Sequence, residues 1–96
     1  MPSYVVETYV EDGDRDRFAV DVEGLRSAAA GMAAANTEVH HVRSYIYPSD
    51  EMGFHVLEAD SAETVLLVTS AAGIDVERIV SAVGVDPHDG AGEAGG

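Results

Sequence analysis

Imidazoles are the most chemically capable side chains in this sequence, which has histidines at 40, 41, 55 and 88 and no cysteine. His40 and His41 are adjacent, so on a strand they point to opposite faces and cannot chelate one ion together. His55 lies in an alternating run, Gly53 to Ala59, and His88 in a glycine- and acid-rich end. If Tyr47 pairs with Gly53 across the intervening turn, Tyr45 lies opposite His55 and His41 falls two pairs further along. At about 3.3 Å per residue this separates the two imidazoles by more than about 10 Å. One chain therefore offers no obvious His–His site. Glu7 with His55 across neighbouring strands, or histidines from two subunits, could still build one, and imidazole with carboxylate suits nickel, zinc or iron. A lone histidine is nonetheless more often a structural side chain than a ligand.

Other chemistry is thinner. Ser44, Ser61, Ser70 and Ser81 sit in no nucleophile motif, and Gly90-Ala91-Gly92 has no strand before it or helix after it to make a phosphate loop. The acid run Glu11 to Asp16 lacks calcium-loop spacing and reads as a solvated turn. Paired carboxylates carry no information in a chain with 18 acidic residues, five basic ones and a net charge of −13. That charge argues against binding nucleic acid, which needs a basic footprint, and against anionic membrane surfaces. The absence of cysteine removes disulfides and thiolate sites. All five basic residues are arginines. This fits adaptation to molar intracellular salt, which screens self-repulsion, or simply a genome that favours arginine codons. The longest aliphatic run, Val65 to Val68, is too short to span a bilayer, and Met1-Pro2-Ser3-Tyr4 does not resemble a secretion signal. A cytoplasmic domain is expected.

The elements that must position these groups follow from periodicity. Ser3 to Val10 alternates as a strand, with Tyr4, Val6, Thr8 and Val10 on one face and Val5, Glu7 and Tyr9 on the other. A helix follows, its apolar stripe Val22, Leu25, Ala29 and Met32, with Asp16 or Asp21 as cap and Asn36 as stop. Val39 to Tyr47 and Gly53 to Ala59 read as strands joined by a hairpin loop at Pro48 to Met52. Asp60 with Glu63 resembles a capping box; Ala62, Val65, Leu66 and Thr69 form the next helical face, and Gly73 ends it. Ile79 to Val85 makes a fourth strand. The order β-α-β-β-α-β specifies an α+β, ferredoxin-like fold: a four-stranded antiparallel sheet with both helices on one face. The folded domain covers residues 2–85, and residues 86–96 read as a flexible acidic and glycine-rich tail.

Such a sheet has an uncovered face. With Val42, Ile46, Phe54 and Val56 beneath the helices, that face carries His41, Arg43, Tyr45, Tyr47, His55 and Leu57, joined by Glu7 and Tyr9. Large aromatic groups among a few charges describe a contact surface, and a one-layer sheet of this size gains stability by packing on its own copy. A homodimer is expected; the alternative is a solvated face with exposed tyrosines.

The stretch from Val42-Arg43-Ser44-Tyr45-Ile46-Tyr47 through Phe54-His55-Val56-Leu57-Glu58-Ala59, then Ala72-Gly73-Ile74 and Glu77-Arg78-Ile79, is similar to a family of small bacterial and archaeal proteins described as nickel-binding. Tyr4-Val5-Val6-Glu7 matches the family's usual start. The resemblance spans most of residues 3–85 and implies a ferredoxin-like homodimer that binds a transition metal. The family's histidine before the Ser-Tyr pair is Arg43 here, its Glu-His pair in the second helix is Leu67-Val68, and His55 stands where cysteine is common. Glu7 and His55 are what remains of metal-competent chemistry, for nickel or zinc. Arg43 near Glu7 would place a salt bridge, or a small-anion site, where the metal would sit.

The expected function is a non-enzymatic homodimer that holds a transition-metal ion or a small ligand at the sheet-face interface. Arg43, Tyr45 and His41 would contact the ligand, Glu7 and His55 the metal, and no residue would be catalytic. A small dimeric monooxygenase or isomerase, with the tyrosines and His55 lining a cavity, and a ligand-free interaction module are the competing classes.

Overall fold

The computed structural model describes residues 1–87; residues 88–96 of the expected tail, including His88, lie outside the described part. The elements are β1 (Ser3–Tyr9), α1 (Arg15–Ala34), β2 (Val39–Tyr47), β3 (Met52–Ala59), α2 (Ala62–Ala71) and β4 (Arg78–Ala82). All strand pairs are antiparallel in the order β2-β3-β1-β4. With both helices on one face, this is the ferredoxin-like fold that the element order specifies. Among the described residues no helix is long and apolar enough to cross a membrane.

Local chemistry sets the boundaries. Asp14, rather than Asp16 or Asp21, caps α1: its carboxylate accepts from the main-chain N–H of Asp16 and Arg17, satisfying donors that have no partner within the helix. Asn36, at φ 68°, follows its end. α2 is capped by Ser61, whose hydroxyl accepts from Thr64 N–H, one residue later than the Asp60 capping box predicts. β4 stops at Ala82, short of Val85.

The core consists of Val6, Leu25, Ala29, Val39, Leu57, Ala59, Val65, Val68 and Ile74. Two sequence expectations fail here. On α2 Val65 and Thr69 are buried as expected, but Val68 joins them in place of Leu66, which is half exposed. On β3 the inward set is Gly53, His55, Leu57 and Ala59, and Phe54 and Val56 face away from the helices. The cause is the hairpin. Pro48–Asp50 forms a 3-10 turn, and Glu51 takes a left-handed conformation with φ 53°, so Met52, not Gly53, pairs with Tyr47. A one-residue change of register turns every side chain of a strand to the opposite face.

Glu51 anchors this turn to the loop after β1. Its carboxylate accepts from Tyr9 Oη at 2.9 Å and Asp12 N–H at 2.8 Å, and its carbonyl accepts from Val10 N–H at 2.7 Å. Gly13, at φ 61°, fits beneath Pro48, where a Cβ would lie 2.5 Å from the Pro48 carbonyl oxygen. Gly53 is equally constrained: a Cβ there would overlap the ring of Phe18, the buried α1 residue that covers this end of β3. Gly53→Ala is therefore expected to cost about 1–3 kcal/mol by overpacking in urea denaturation, and clearly less in a Phe18→Leu background. An equal cost in both backgrounds would show that Phe18 does not sit over Gly53.

Candidate functional site

The hairpin register divides the candidate residues between the two faces of the sheet. Arg43, Tyr45 and Tyr47 of β2 pair with Val56, Phe54 and Met52 of β3 on the uncovered face. Val5, Glu7 and Tyr9 share that face from β1, as do Arg78 and Val80 of β4, which pair with Glu7 and Val5. Tyr47 meets Phe54 edge-on with centroids 5.2 Å apart. Arg78 Nε donates to Glu7 Oε2 at 2.9 Å, so the salt bridge expected between Glu7 and Arg43 is made by Arg78. Arg43 instead donates to Tyr45 Oη at 3.5 Å and has no carboxylate partner among the described residues. Tyr9, Tyr45 and Tyr47 are 53%, 44% and 52% exposed. The Tyr9 hydroxyl titrates above its usual range, because its hydrogen bond to Glu51 and the surrounding carboxylates oppose the phenolate.

His41 and His55, both expected on the uncovered face, are on the helix side. His55 is fully buried, stacked on the Phe18 ring at 5.0 Å and paired with Val6 and Ser44 across the two flanking strands. His41 reaches the same side because β2 carries a bulge: His41 pairs with Leu57 and Arg43 with Val56, leaving Val42 as the extra residue. A bulge lets two residues oppose one and re-aims the side chains before it. Val42, expected inside, is 52% exposed as a result, and the two imidazole centroids lie 6.0 Å apart, not beyond about 10 Å as an unbulged strand requires.

Ser44 joins the two rings. Its hydroxyl lies 2.7 Å from His41 Nε2 and 2.7 Å from His55 Nδ1. Counting hydrogens assigns the tautomers. His55 Nε2 has no hydrogen-bond partner among the described residues, and a buried N–H is left unpaired more rarely than a buried acceptor, so the His55 proton is placed on Nδ1. Ser44 then donates to His41 and accepts from His55 Nδ1–H. His55 Nε2 is then an unprotonated acceptor without a donor among the described residues. Burial, reinforced by His41, pushes His55 down to about 4. Burial also lowers His41, with Arg26 of α1 adding to the effect.

These positions also test the expected metal site. Val6, not Glu7, pairs with His55, so Glu7 and His55 project from opposite faces of the sheet and cannot share an ion within one chain. Among the described residues no three histidine or carboxylate side chains are grouped to hold a metal. Val68, at the position of the family's second-helix histidine, is core. The residues present do not fit the nickel-type centre that the resemblance implies. What the fold assembles is a cation with a phenol on the open face, Arg43 and Tyr45, and beneath the helices a serine held between two imidazoles. The sequence pattern did not reveal Ser44 or Phe18 as partners of His55. The His41–Ser44 spacing of three fits a strand face only when a bulge is present, and no single-residue signal announces one.

In sequence, no family model and no curated protein matches this chain. In structure it is similar to SCO4226 from Streptomyces coelicolor A3(2), known from a crystal structure, with a TM-score of 0.73 at 16% identity over 88% of this chain and 99% of that one. The likeness is one of fold.

His55 gives stability a defined pH dependence. The unfolded chain takes up this proton below about pH 6.5, whereas the folded chain does so only near 4. The contribution is whole above pH 6.5 and is lost as pH falls toward 4, by about 3 kcal/mol in all. Urea denaturation of the wild type and His55→Leu at pH 7.5 and pH 4 is expected to show the wild type losing that amount relative to the variant. A difference unchanged with pH would mean that His55 is not buried as a neutral ring.

Proposed function

We propose that this protein is a homodimeric binding module whose subunits meet through the uncovered faces of their sheets and hold a small anion, such as a carboxylate, at Arg43 and Tyr45. The observation that supports this reading is the composition of that face. Val5, Phe54, Val56, Val80, Met52 and the tyrosines supply apolar and aromatic area. The charges among the paired strand residues are two arginines, Arg43 and Arg78, against two glutamates, Glu7 and Glu58. A chain of net charge −13 thus presents a balanced surface where a second equally acidic chain would have to approach. Four strands about 4.8 Å apart and about six residues long give a footprint of roughly 400 Å². Protruding side chains raise its accessible area toward that of one side of a standard interface.

Arg43 supports the ligand class. It is a permanent cation with a neutral phenol as its hydrogen-bond partner, and its fork of donors matches a carboxylate bidentately. On this reading the protein binds and does not catalyse.

Sedimentation equilibrium is expected to give twice the chain mass, with association strengthening between 0.05 and 1 M salt as repulsion between two acidic subunits is screened. Val56→Glu, which leaves the helix-side core untouched, is expected to give a folded monomer. A wild type that is monomeric at all salt concentrations would refute the dimer. If the dimer forms but Arg43→Ala binds small carboxylates as well as the wild type does in calorimetry, the ligand assignment fails on its own.

A further inference from the structure

The bulge in β2 half-buries a histidine where the ordinary measure of burial would place a valine. It places an imidazole opposite Leu57 under α1 and leaves Val42 in solvent, although burying valine is favourable and burying a polar ring costs free energy unless it is bonded. The His41–Ser44–His55 chain supplies the compensating bonds.

A second arrangement exists on the same frame. If the bulge moves one residue toward the N-terminus, Val42 pairs with Leu57 and His41 becomes the extra residue. Val39–Ala59 and His40–Glu58 on one side, and every pair from Arg43–Val56 onward, keep their present partners. Only His41 and Val42 exchange, the first into solvent and the second beneath α1. We infer that β2 is a two-state strand in which His41 and Val42 compete for the place opposite Leu57, and that a proton on His41 moves the bulge.

The groups around His41 explain the direction. Arg26 of α1 opposes a positive charge on its ring, His41 and His55 of β3 oppose each other's protonation, and among the described residues no carboxylate offsets them. Its own strand offers Ser44 and the main chain of Arg43. A protonated His41 cannot accept the Ser44 hydrogen. It must donate instead, which obliges Ser44 to donate to His55 Nδ1 and moves the His55 ring proton to Nε2, a buried atom with no partner. Releasing His41 to solvent removes that conflict, and Val42 fills the space. Such a strand is a bistable element biased by one protonation, and it lies directly before Arg43 and Tyr45. The inference depends on the hairpin register and is independent of dimerisation and of anion binding.

The chain has no cysteine, so Val42→Cys supplies a single thiol reporter. Its labelling by 4,4′-dithiodipyridine, referred at each pH to the same thiol in urea, is expected to be fast at pH 7.5. It should be about tenfold slower at pH 5, and also at pH 7.5 when Ser44→Ala is added. Adding His41→Gln, which cannot take up a proton, should abolish the response to pH. Equal relative labelling at pH 7.5 and pH 5 in the Val42→Cys protein would overturn the proposal, and this comparison stands even if the Ser44→Ala variant fails to fold. Circular dichroism at each pH confirms that the chain being labelled is folded.

Discussion

The short turn between β2 and β3 decides which side chains each face of the sheet presents. Its 3-10 geometry and the left-handed Glu51 bring Met52 opposite Tyr47, and the Glu51 carboxylate ties the turn to Tyr9 and Asp12. From that register follow the burial of His55 under Phe18, the alignment of Ser44 beside it, and the emergence of Phe54 and Val56 on the uncovered face. One slipped residue would turn Phe54 beneath the helices, where Phe18 already fills the space above Gly53, and turn His55 to the uncovered face.

This sorting separates two kinds of chemistry that would otherwise interfere. Among its paired strand residues the uncovered face sets two arginines against two glutamates, with each arginine bonded to a glutamate or a phenol. The helix side holds two imidazoles neutral, because burial and neighbouring positive groups both disfavour protonation. Their hydrogen bonds run through one serine, so each ring's tautomer depends on the other's. A buried acceptor without a donor, His55 Nε2, costs about 1–3 kcal/mol if it was solvated in the unfolded chain. The stacked Phe18 ring and the bond to Ser44 act against that cost.

The element order was legible because each segment has one dominant period: alternation in Ser3 to Tyr9, and three- and four-residue spacing at Leu25 and Ala29. The facing of β3 was not legible. Gly53-Phe54-His55-Val56-Leu57 offers apolar residues at both parities, so alternation alone cannot choose, and Phe54 and Val56, being wholly apolar, look more suited to a core than a set containing His55. The choice is made by a turn four residues away and by Phe18 filling the space above Gly53. Arg43 and Tyr45 were placed correctly on the open face because alternation was counted against Ile46, which lies on their own side of the bulge and does face the helices. His41 was misplaced because it precedes the bulge, where an added residue inverts the parity. Val42, the residue that the pattern would bury, is the one that the structure expels, in favour of two hydrogen bonds that composition does not encode.

The central claim is that the hairpin register places His55 on the helix side as a neutral ring bonded through Nδ1 to Ser44. Long-range proton–nitrogen NMR of the imidazoles at pH 7.5 tests it most directly. The account predicts that His55 carries its proton on Nδ1 and has an unprotonated Nε2, and that this proton disappears from the Nδ1 position or becomes exchange-averaged in Ser44→Ala. A His55 ring averaging both tautomers as an exposed histidine does would contradict the register and the division of chemistry between the two faces, and a ring held with its proton on Nε2 would contradict the direction of the Ser44 hydrogen bonds.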